Sequence, residues 1–303
     1  MSVFTDFQQK LSASIQDIQL RFDEPMSKHT SFRIGGPAEV MAFPKNTQEL
    51  SALMCAAAEL KIQPAILGAG TNVLAPDAGL PGLCICLKDA LDGMELLEGN
   101  RIRVMAGVTM TRAAVFAANH SLSGMEFAHG IPGTVGGGVY MNAGAYGGEI
   151  CDICESVDVM DLNGNLKTLS GDEMQFSYRH SRLEEEGGIV VSATFRLIPQ
   201  DCNDIKAKMK ELQSKRSASQ PLDLPSAGSA FKRPVGGYAA ALVDQAGLKG
   251  FAVGGAAIST KHAGFAVNIG GATAADVKSL LQQVSDRVYA NSGIRLEPEV
   301  RIW

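Results

Sequence analysis

Between Gly130 and Gly148 the chain carries eight glycines and no charged residue, in the order G-I-P-G-T-V-G-G-G-V-Y-M-N-A-G-A-Y-G-G. A core strand or helix does not tolerate that density, because each glycine costs backbone entropy and packs no side chain. Such a segment lets the backbone come close to something, with amide N–H groups turned toward it. A pyrophosphate is the natural target. It is not a P-loop, since no Gly-Lys-Ser/Thr follows. A plain glycine turn between buried strands needs neither this length nor the ordered polar pair Asn142 and Tyr146.

A second cluster, Gly68-Ala69-Gly70-Thr71-Asn72, follows the apolar run Ala65 to Leu67. Gly68-x-Gly70 hints at a dinucleotide fingerprint, but Val73 stands where the third glycine belongs. Pro76, Asp77, Gly79, Pro81 and Gly82 then mark a loop and not a helix. A Rossmann reading therefore fails. Two loops able to cradle phosphate suggest one long ligand clasped between two subdomains.

With 303 residues, the length suggests about two domains. A net charge of −5 argues against nonspecific nucleic-acid binding, so an anionic ligand must be met by local cations. Met1 to Lys10 lacks a basic start followed by an apolar run. No stretch approaches the ~18 apolar residues of a membrane span. The expectation is a cytoplasmic protein. Cys151-Asp152-Ile153-Cys154 has metal or redox spacing, yet no second pair or histidine cluster accompanies it, so no metal is expected. Cys84 and Cys86 alternate in an apolar strand pattern and read as core thiols.

Periodicity predicts a helix from Thr47 to Leu60 with Thr47 as its N-cap, a strand at Ala65 to Leu67, and strands at Leu83 to Leu87 and Ile102 to Val108. A helix over Thr111 to Ala118 leads to the long glycine loop. Ser156 to Asp161 and Leu166 to Leu169 read as a hairpin around Asn163-Gly164, and Ile189 to Leu197 as a β-branched strand. The fold class is α+β. Composition shifts near Pro199 to Asn203, which divides the chain into 1–200, with a subdomain split near 88, and 201–303. In the second part, Asp204 to Gln213, Ala239 to Ala246 and Ala274 to Ala290 read as helices, the last stopped by Gly293. The chain closes with a strand, Leu296 to Trp303, whose alternation points Glu297 and Glu299 to one face.

Ser229 lies beside Gly228 and ahead of Lys232 and Arg233, without the G-x-S-x-G surroundings of a hydrolase nucleophile. Locally it reads as a polar turn. Arg179, after Tyr178, reads locally as surface. The set HTSFRIGGPA (His29 to Ala38), GAGTNVL (Gly68 to Leu74), GIPGTVGGGVYMNAGAYGGEI (Gly130 to Ile150), YRHS (Tyr178 to Ser181), QPLDLPSAGSAFKRP (Gln220 to Pro234) and LEPEVR (Leu296 to Arg301) changes that. Together, in this order, it resembles the UDP-N-acetylenolpyruvoylglucosamine reductase family over nearly the whole chain. The short connection after YRHS resembles the family's compact branch, which lacks an extra substrate-covering loop.

The resemblance implies a PCMH-type FAD-binding fold of two α+β subdomains, followed by a smaller α+β substrate domain. It implies noncovalent FAD, NADPH as reductant, a small UDP-sugar enolpyruvate as substrate, and a monomer without nucleic-acid or membrane partners. Arg179, Ser229 and Glu299 match the family's catalytic positions. Gly68, Ala69, Gly70, Thr71 and Asn72, with Gly130, Ile131, Pro132, Gly133, Thr134, Gly136, Gly137, Asn142, Ala143, Gly144 and Ala145, match its flavin-binding loops. Tyr146, Tyr178, Arg216, Lys232 and Arg233 are the expected substrate contacts. The family often has a lysine just before the QPL segment. Here Ser219 stands there, which leaves the diphosphate to Arg216, or to Lys232 and Arg233. His129 invites covalent flavin attachment, which the resemblance argues against. Two other readings are a PCMH-type sugar or alcohol oxidase, which would consume oxygen rapidly, and a nucleotide-binding module without flavin reduction.

Overall fold

A computed structural model describes residues 18–303. The reading of Met1 to Lys10 lies outside them. Contacts divide the chain into two units. One holds 18–22, Val40–Ala69 and Gly82–Ser214; the other holds Asp23–Glu39, Gly70–Pro81 and Lys215–Trp303. The sequence division into 1–200 and 201–303 is contiguous, whereas these units are not. Two N-terminal segments belong with the C-terminal part.

In the first unit a five-stranded antiparallel sheet has the order Leu166–Ser170, Cys154–Met160, Ile189–Arg196, Arg101–Met105, Met94–Leu97. The central strand, Ile-Val-Val-Ser-Ala-Thr-Phe-Arg, is buried along all but its last residue, as a strand covered on both faces requires. Ala193 and Phe195 share their core with Leu50, Leu53 and Met54 of the helix Thr47–Glu59 and with Val135 and Val139 of the short helix Val135–Tyr140. The helix expected from Thr47 forms, but its cap is Asn46, in extended backbone with its side chain accepting from Glu49 N at 2.9 Å. Helix Met110–Asn119 is capped by Thr109 and leads toward the long glycine segment.

In the second unit a four-stranded antiparallel sheet has the order Ser226–Ser229, Phe265–Asn268, Ala256–Ile258, Ala252–Val253. Helix Ala274–Ser292 buries Val277, Leu280, Leu281, Val284 and Val288 in the same core as Ile258 and Phe231. That helix ends at Gly293, whose φ of 73° closes it in the left-handed conformation. The separated segments contribute Phe32, Ile34 and Leu74 to this core. They are tied by hydrogen bonds as well. Asn268 Nδ2 donates to Phe32 O at 3.0 Å, and Ser31 Oγ to Ser226 O at 2.6 Å.

Two sequence expectations change here. The helix predicted over Asp204 to Gln213 runs further, Cys202–Ser219, and carries Arg216. The terminal strand is shorter, Arg301–Ile302, paired in parallel with Val73–Leu74. Pro298 accounts for the difference. It has no N–H to give a ladder, and it makes a single bridge to Phe231. Among the described residues, no helix is long and apolar enough to cross a membrane.

The Asp77 carboxylate accepts from Ala274 N at 2.7 Å and Ala275 N at 3.0 Å, at the start of the last helix. It satisfies two of the amides a helix start leaves bare and complements the helix dipole. Asp77→Ala is expected to destabilise the protein by about 1 kcal/mol. Denaturant unfolding monitored by circular dichroism checks this. An unchanged midpoint would show that the clamp contributes nothing.

Candidate active site

The long glycine segment lies in the first unit. Thr134 caps the helix Val135–Tyr140, its Oγ1 accepting from Gly137 N at 3.4 Å. Val135 N donates to Val108 O at 2.8 Å, and Gly136 N to Ala106 O at 2.9 Å. These three amides are therefore spent inside the chain and do not turn toward a ligand. What the segment offers instead is bare backbone.

The reasons for its glycines can be sorted one by one. Gly130, Gly133 and Gly147 have positive φ, which L side chains rarely adopt. At four others a side chain would collide. A Cβ would lie 2.9 Å from Ala106 Cβ at Gly136, 2.7 Å from Met110 Sδ at Gly138, 2.7 Å from Glu149 Cβ at Gly144 and 2.7 Å from Phe127 at Gly148. Gly137 has neither reason. Its φ is ordinary, and a Cβ there would meet only Thr134 Oγ1 at 3.7 Å. Glycine in a helix costs up to ~1 kcal/mol against alanine, and the space beside Gly137 is open to an outside group. Gly68, on the other glycine cluster, packs against the same threonine: its Cβ would fall 2.6 Å from Thr134 Oγ1. Uncharged bare backbone from two glycine loops meeting at one threonine fits a flavin dinucleotide.

Asn142, expected at the flavin, is 1% exposed. Its Oδ1 accepts from Cys151 N, and its Nδ2 donates to Glu149 Oε2 and to Ser177 O, each at 3.0 Å. The side chain is committed to the protein, so any flavin contact by this residue falls to its backbone. Ser177 opens a tight turn in which Ser177 and His180 exchange backbone hydrogen bonds at 3.2 and 3.1 Å. Tyr178 and Arg179 form its tip. Arg179 Nη2 donates to Gly144 O at 3.3 Å, and its guanidinium lies 5.0 Å from the Tyr178 ring centroid. Asn142, Tyr146 and Arg179 all have positive φ, at 42°, 54° and 57°. Strained non-glycine backbone of this kind concentrates at functional sites.

The second unit holds Gly70 to Asn72, Ser229 and Glu299. Gly70, with φ of 62°, approaches so closely that a Cβ would lie 2.0 Å from His29 O, which explains the pairing of the His29 segment with this loop. Ser226 pairs with Val267 and Ser229 with Phe265, so one extra residue bulges the strand between them. Gly228, φ 80° with open space at its Cβ, provides the bend, and Ser229 is exposed beyond it. Glu299 is held beside it through its backbone. Glu299 N donates to Ala230 O at 3.0 Å, and Asn72 Nδ2 to Glu299 O at 3.2 Å. Ser229, Glu299 and Asn72 thus form one cluster, while Glu297 turns to Lys232 at 2.5 Å. Because no strand runs through Pro298, the expectation of two carboxylates on a regular strand face is not met.

Of the expected substrate contacts, Tyr146, Tyr178 and Arg233 are exposed, and Arg233 lies over the Tyr238 ring at 4.5 Å. Arg216 is 7% exposed and donates to Gln220 Oε1 at 3.4 Å. The residues the sequence left unassigned are Glu149, Ser177 and Ser181, whose partners lie 7, 35 and 41 positions away. All six cysteines are free. Burial pushes the Cys154 thiol up to about 12 and raises that of Cys151, which disfavours the thiolates a metal or redox pair needs. The Glu149 and Asp152 carboxylates beside them are used in capping hydrogen bonds.

Comparison with known proteins agrees with this geometry. A family model described as "FAD binding domain" matches residues 38–170, and one described as "UDP-N-acetylenolpyruvoylglucosamine reductase, C-terminal domain" matches 220–303. A UDP-N-acetylenolpyruvoylglucosamine reductase of Caldanaerobacter subterraneus is 45% identical over 97% of this chain and 96% of its own. One from Latilactobacillus sakei is 44% identical over 95% and 94%. The crystal structure of the reductase from Thermus caldophilus superposes with a TM-score of 0.77 at 33% identity, covering 95% of this chain and all of that one. An alkyldihydroxyacetonephosphate synthase, 15% identical with a TM-score of 0.51 over 64% of this chain and 40% of its own, shares the fold alone. Fold and matches define a flavin-dependent oxidoreductase that binds FAD. The chain belongs to the UDP-N-acetylenolpyruvoylglucosamine reductase family.

Gly137 yields a prediction with opposite signs in two measurements. Gly137→Ala is expected to leave the apoprotein as stable or up to ~1 kcal/mol more stable. It is also expected to weaken FAD binding at least ~10-fold, roughly 1.4 kcal/mol. Thermal unfolding of apoprotein and flavin titration read the two effects. Undiminished FAD affinity would remove the ligand argument for this glycine.

Proposed function

We propose that the chain reduces UDP-N-acetylglucosamine enolpyruvate to UDP-N-acetylmuramate with NADPH as reductant, supplying a peptidoglycan precursor. The observation that carries this reading is the cluster of the second unit: an exposed Ser229 set on a bulge, one residue from the carbonyl that holds Glu299. Support for the substrate comes from the UDP-N-acetylenolpyruvoylglucosamine reductases that are 44–45% identical to this chain over nearly their whole length. In this reading FAD is held noncovalently, the protein works as a monomer in the cytoplasm, and no nucleic acid or membrane takes part.

FAD, held by the Gly68–Asn72 and Gly130–Ala145 loops, would supply hydride transfer between the nicotinamide and the terminal carbon of the enolpyruvyl group. The chain's own residues handle the charge and the proton. Hydride addition turns the CH₂ carbon into a methyl group and pushes the double-bond electron pair toward the carboxylate. Arg179 stabilises that added charge with a fixed fork of donors, and its left-handed backbone sets the fork in place. Ser229 donates its hydroxyl proton to the adjacent carbon, completing the lactyl ether. The strongly basic intermediate makes so weak an acid sufficient. Glu299 orients the reacting carboxyl end or shares its proton, and the anchored backbone at Ala230 and Asn72 limits its movement. For the diphosphate, Arg216, Lys232 and Arg233 are the cations at hand. Lys232 is paired with Glu297 and Arg216 is buried, so Arg233 is the most accessible.

Ser229→Ala is the test. The mutant is expected to bind FAD and to have its flavin reduced by NADPH at close to the normal rate. Reoxidation by the enolpyruvyl substrate is expected to fall at least ~10²-fold, the low end of a general-acid contribution. Ser229→Cys should recover part of the loss. Stopped-flow absorbance separates the two halves. Equal loss in both would assign Ser229 to folding or to the flavin site.

A further inference from the structure

We propose that Asn142 and Ser181 are positioning residues for Arg179, acting as two pins on the turn that carries it. This rests on the role given to Arg179 above and extends it to residues that do not touch substrate. The turn Ser177–His180 is joined to one short piece of the glycine segment at both of its shoulders. On one side the buried Asn142 amide donates to Ser177 O at 3.0 Å. On the other, Ser181, 0% exposed, donates its hydroxyl to Tyr140 O at 2.8 Å. Tyr140 ends the helix Val135–Tyr140, and Asn142 lies two residues beyond it. At the tip, Arg179 Nη2 reaches Gly144 O of the same segment at 3.3 Å.

These pins oppose a specific tendency. Arg179 occupies a left-handed turn position, φ 57°, that glycine adopts at lower cost than any side chain. An unpinned arginine would relax toward ordinary backbone and swing its guanidinium away. Asn142 is itself left-handed, φ 42°, a conformation asparagine tolerates better than most residues, and it can point its amide at three partners only from there. The glycine segment and the catalytic arginine are thereby fixed to one another within a single unit. Misplacing a positioned group by about 1 Å can slow a reaction ~10²-fold.

Asn142→Asp retains the acceptor for Cys151 N and the side-chain shape, but it replaces the donor to Ser177 O and Glu149 with a carboxylate oxygen. Ser181→Ala removes the other pin and serves if the first variant folds poorly. Both are measured as FAD-loaded enzyme. In Ser181→Ala, NADPH reduction of the flavin is expected to stay within about twofold; in both variants substrate-driven reoxidation is expected to fall at least ~10-fold. In an Arg179→Ala background, adding either change is expected to alter reoxidation less than about twofold, because residues acting through one group are not additive. Phenylglyoxal, an arginine-directed dicarbonyl, is expected to modify Arg179 faster in both variants, read by peptide mass spectrometry. Unchanged modification rates, or losses that add fully to that of Arg179→Ala, would overturn the proposal. Normal reoxidation in Arg179→Ala alone would instead refute the catalytic reading of Arg179, and the modification rates would still decide whether the pins hold it.

Discussion

The buried amide of Asn142 is the interaction on which the shape of the first unit's glycine segment depends. Three hydrogen bonds of 3.0 Å join the end of the glycine segment to the turn at Glu149–Cys151 and to the turn that presents Arg179. An amide 1% exposed and bonded on both its oxygen and its nitrogen is costly to disturb, since any partner removed leaves a buried polar group unsatisfied. A segment with so few side chains cannot hold its shape by packing alone. The amide supplies the rigidity that the glycines give up.

That division of labour runs through the segment. Seven of its eight glycines answer to the protein, three by conformation and four by close packing against Ala106, Met110, Glu149 and Phe127. The loop is therefore shaped from within, and only Gly137 points to a ligand by itself. The second unit solves a similar problem by other means. There, backbone pairing of Glu299 with Ala230, a bulge at Gly228 and the Asn72 side chain assemble the cluster, so Ser229 and Glu299 lie on anchored chain and not on loose loops.

Helices with a clear apolar stripe were legible in the sequence: Val277, Leu280, Leu281, Val284 and Val288 predicted the last helix and Gly293 its stop. The central strand was legible from its β-branched run. The proposed site residues stand out only as a set, because Ser229 and Arg179 look ordinary in their local surroundings. What could not be read was pairing between distant segments. Asp77 caps a helix 197 residues later, Ser31 bonds to Ser226, and Asn72 bonds to Glu299 across 227 positions. No periodicity encodes such partners, which is why the N-terminal segments 23–39 and 70–81 could not be assigned to the C-terminal unit. The partners of the Val135 and Gly136 amides are hidden for the same reason, their acceptors lying on Val108 and Ala106. Pro298 was visible throughout, and its missing N–H was the available signal against a strand from Leu296.

In the proposed reaction, electrons from NADPH pass by way of bound FAD to an enolpyruvyl UDP-sugar. An anaerobic titration follows that transfer. The FAD-loaded protein is reduced with one equivalent of NADPH, UDP-N-acetylglucosamine enolpyruvate is added, and flavin absorbance is followed while the product is examined by proton NMR. The account predicts full reoxidation by one equivalent of substrate per flavin and a new methyl doublet from the lactyl group. Flavin that stays reduced until oxygen is admitted would contradict it.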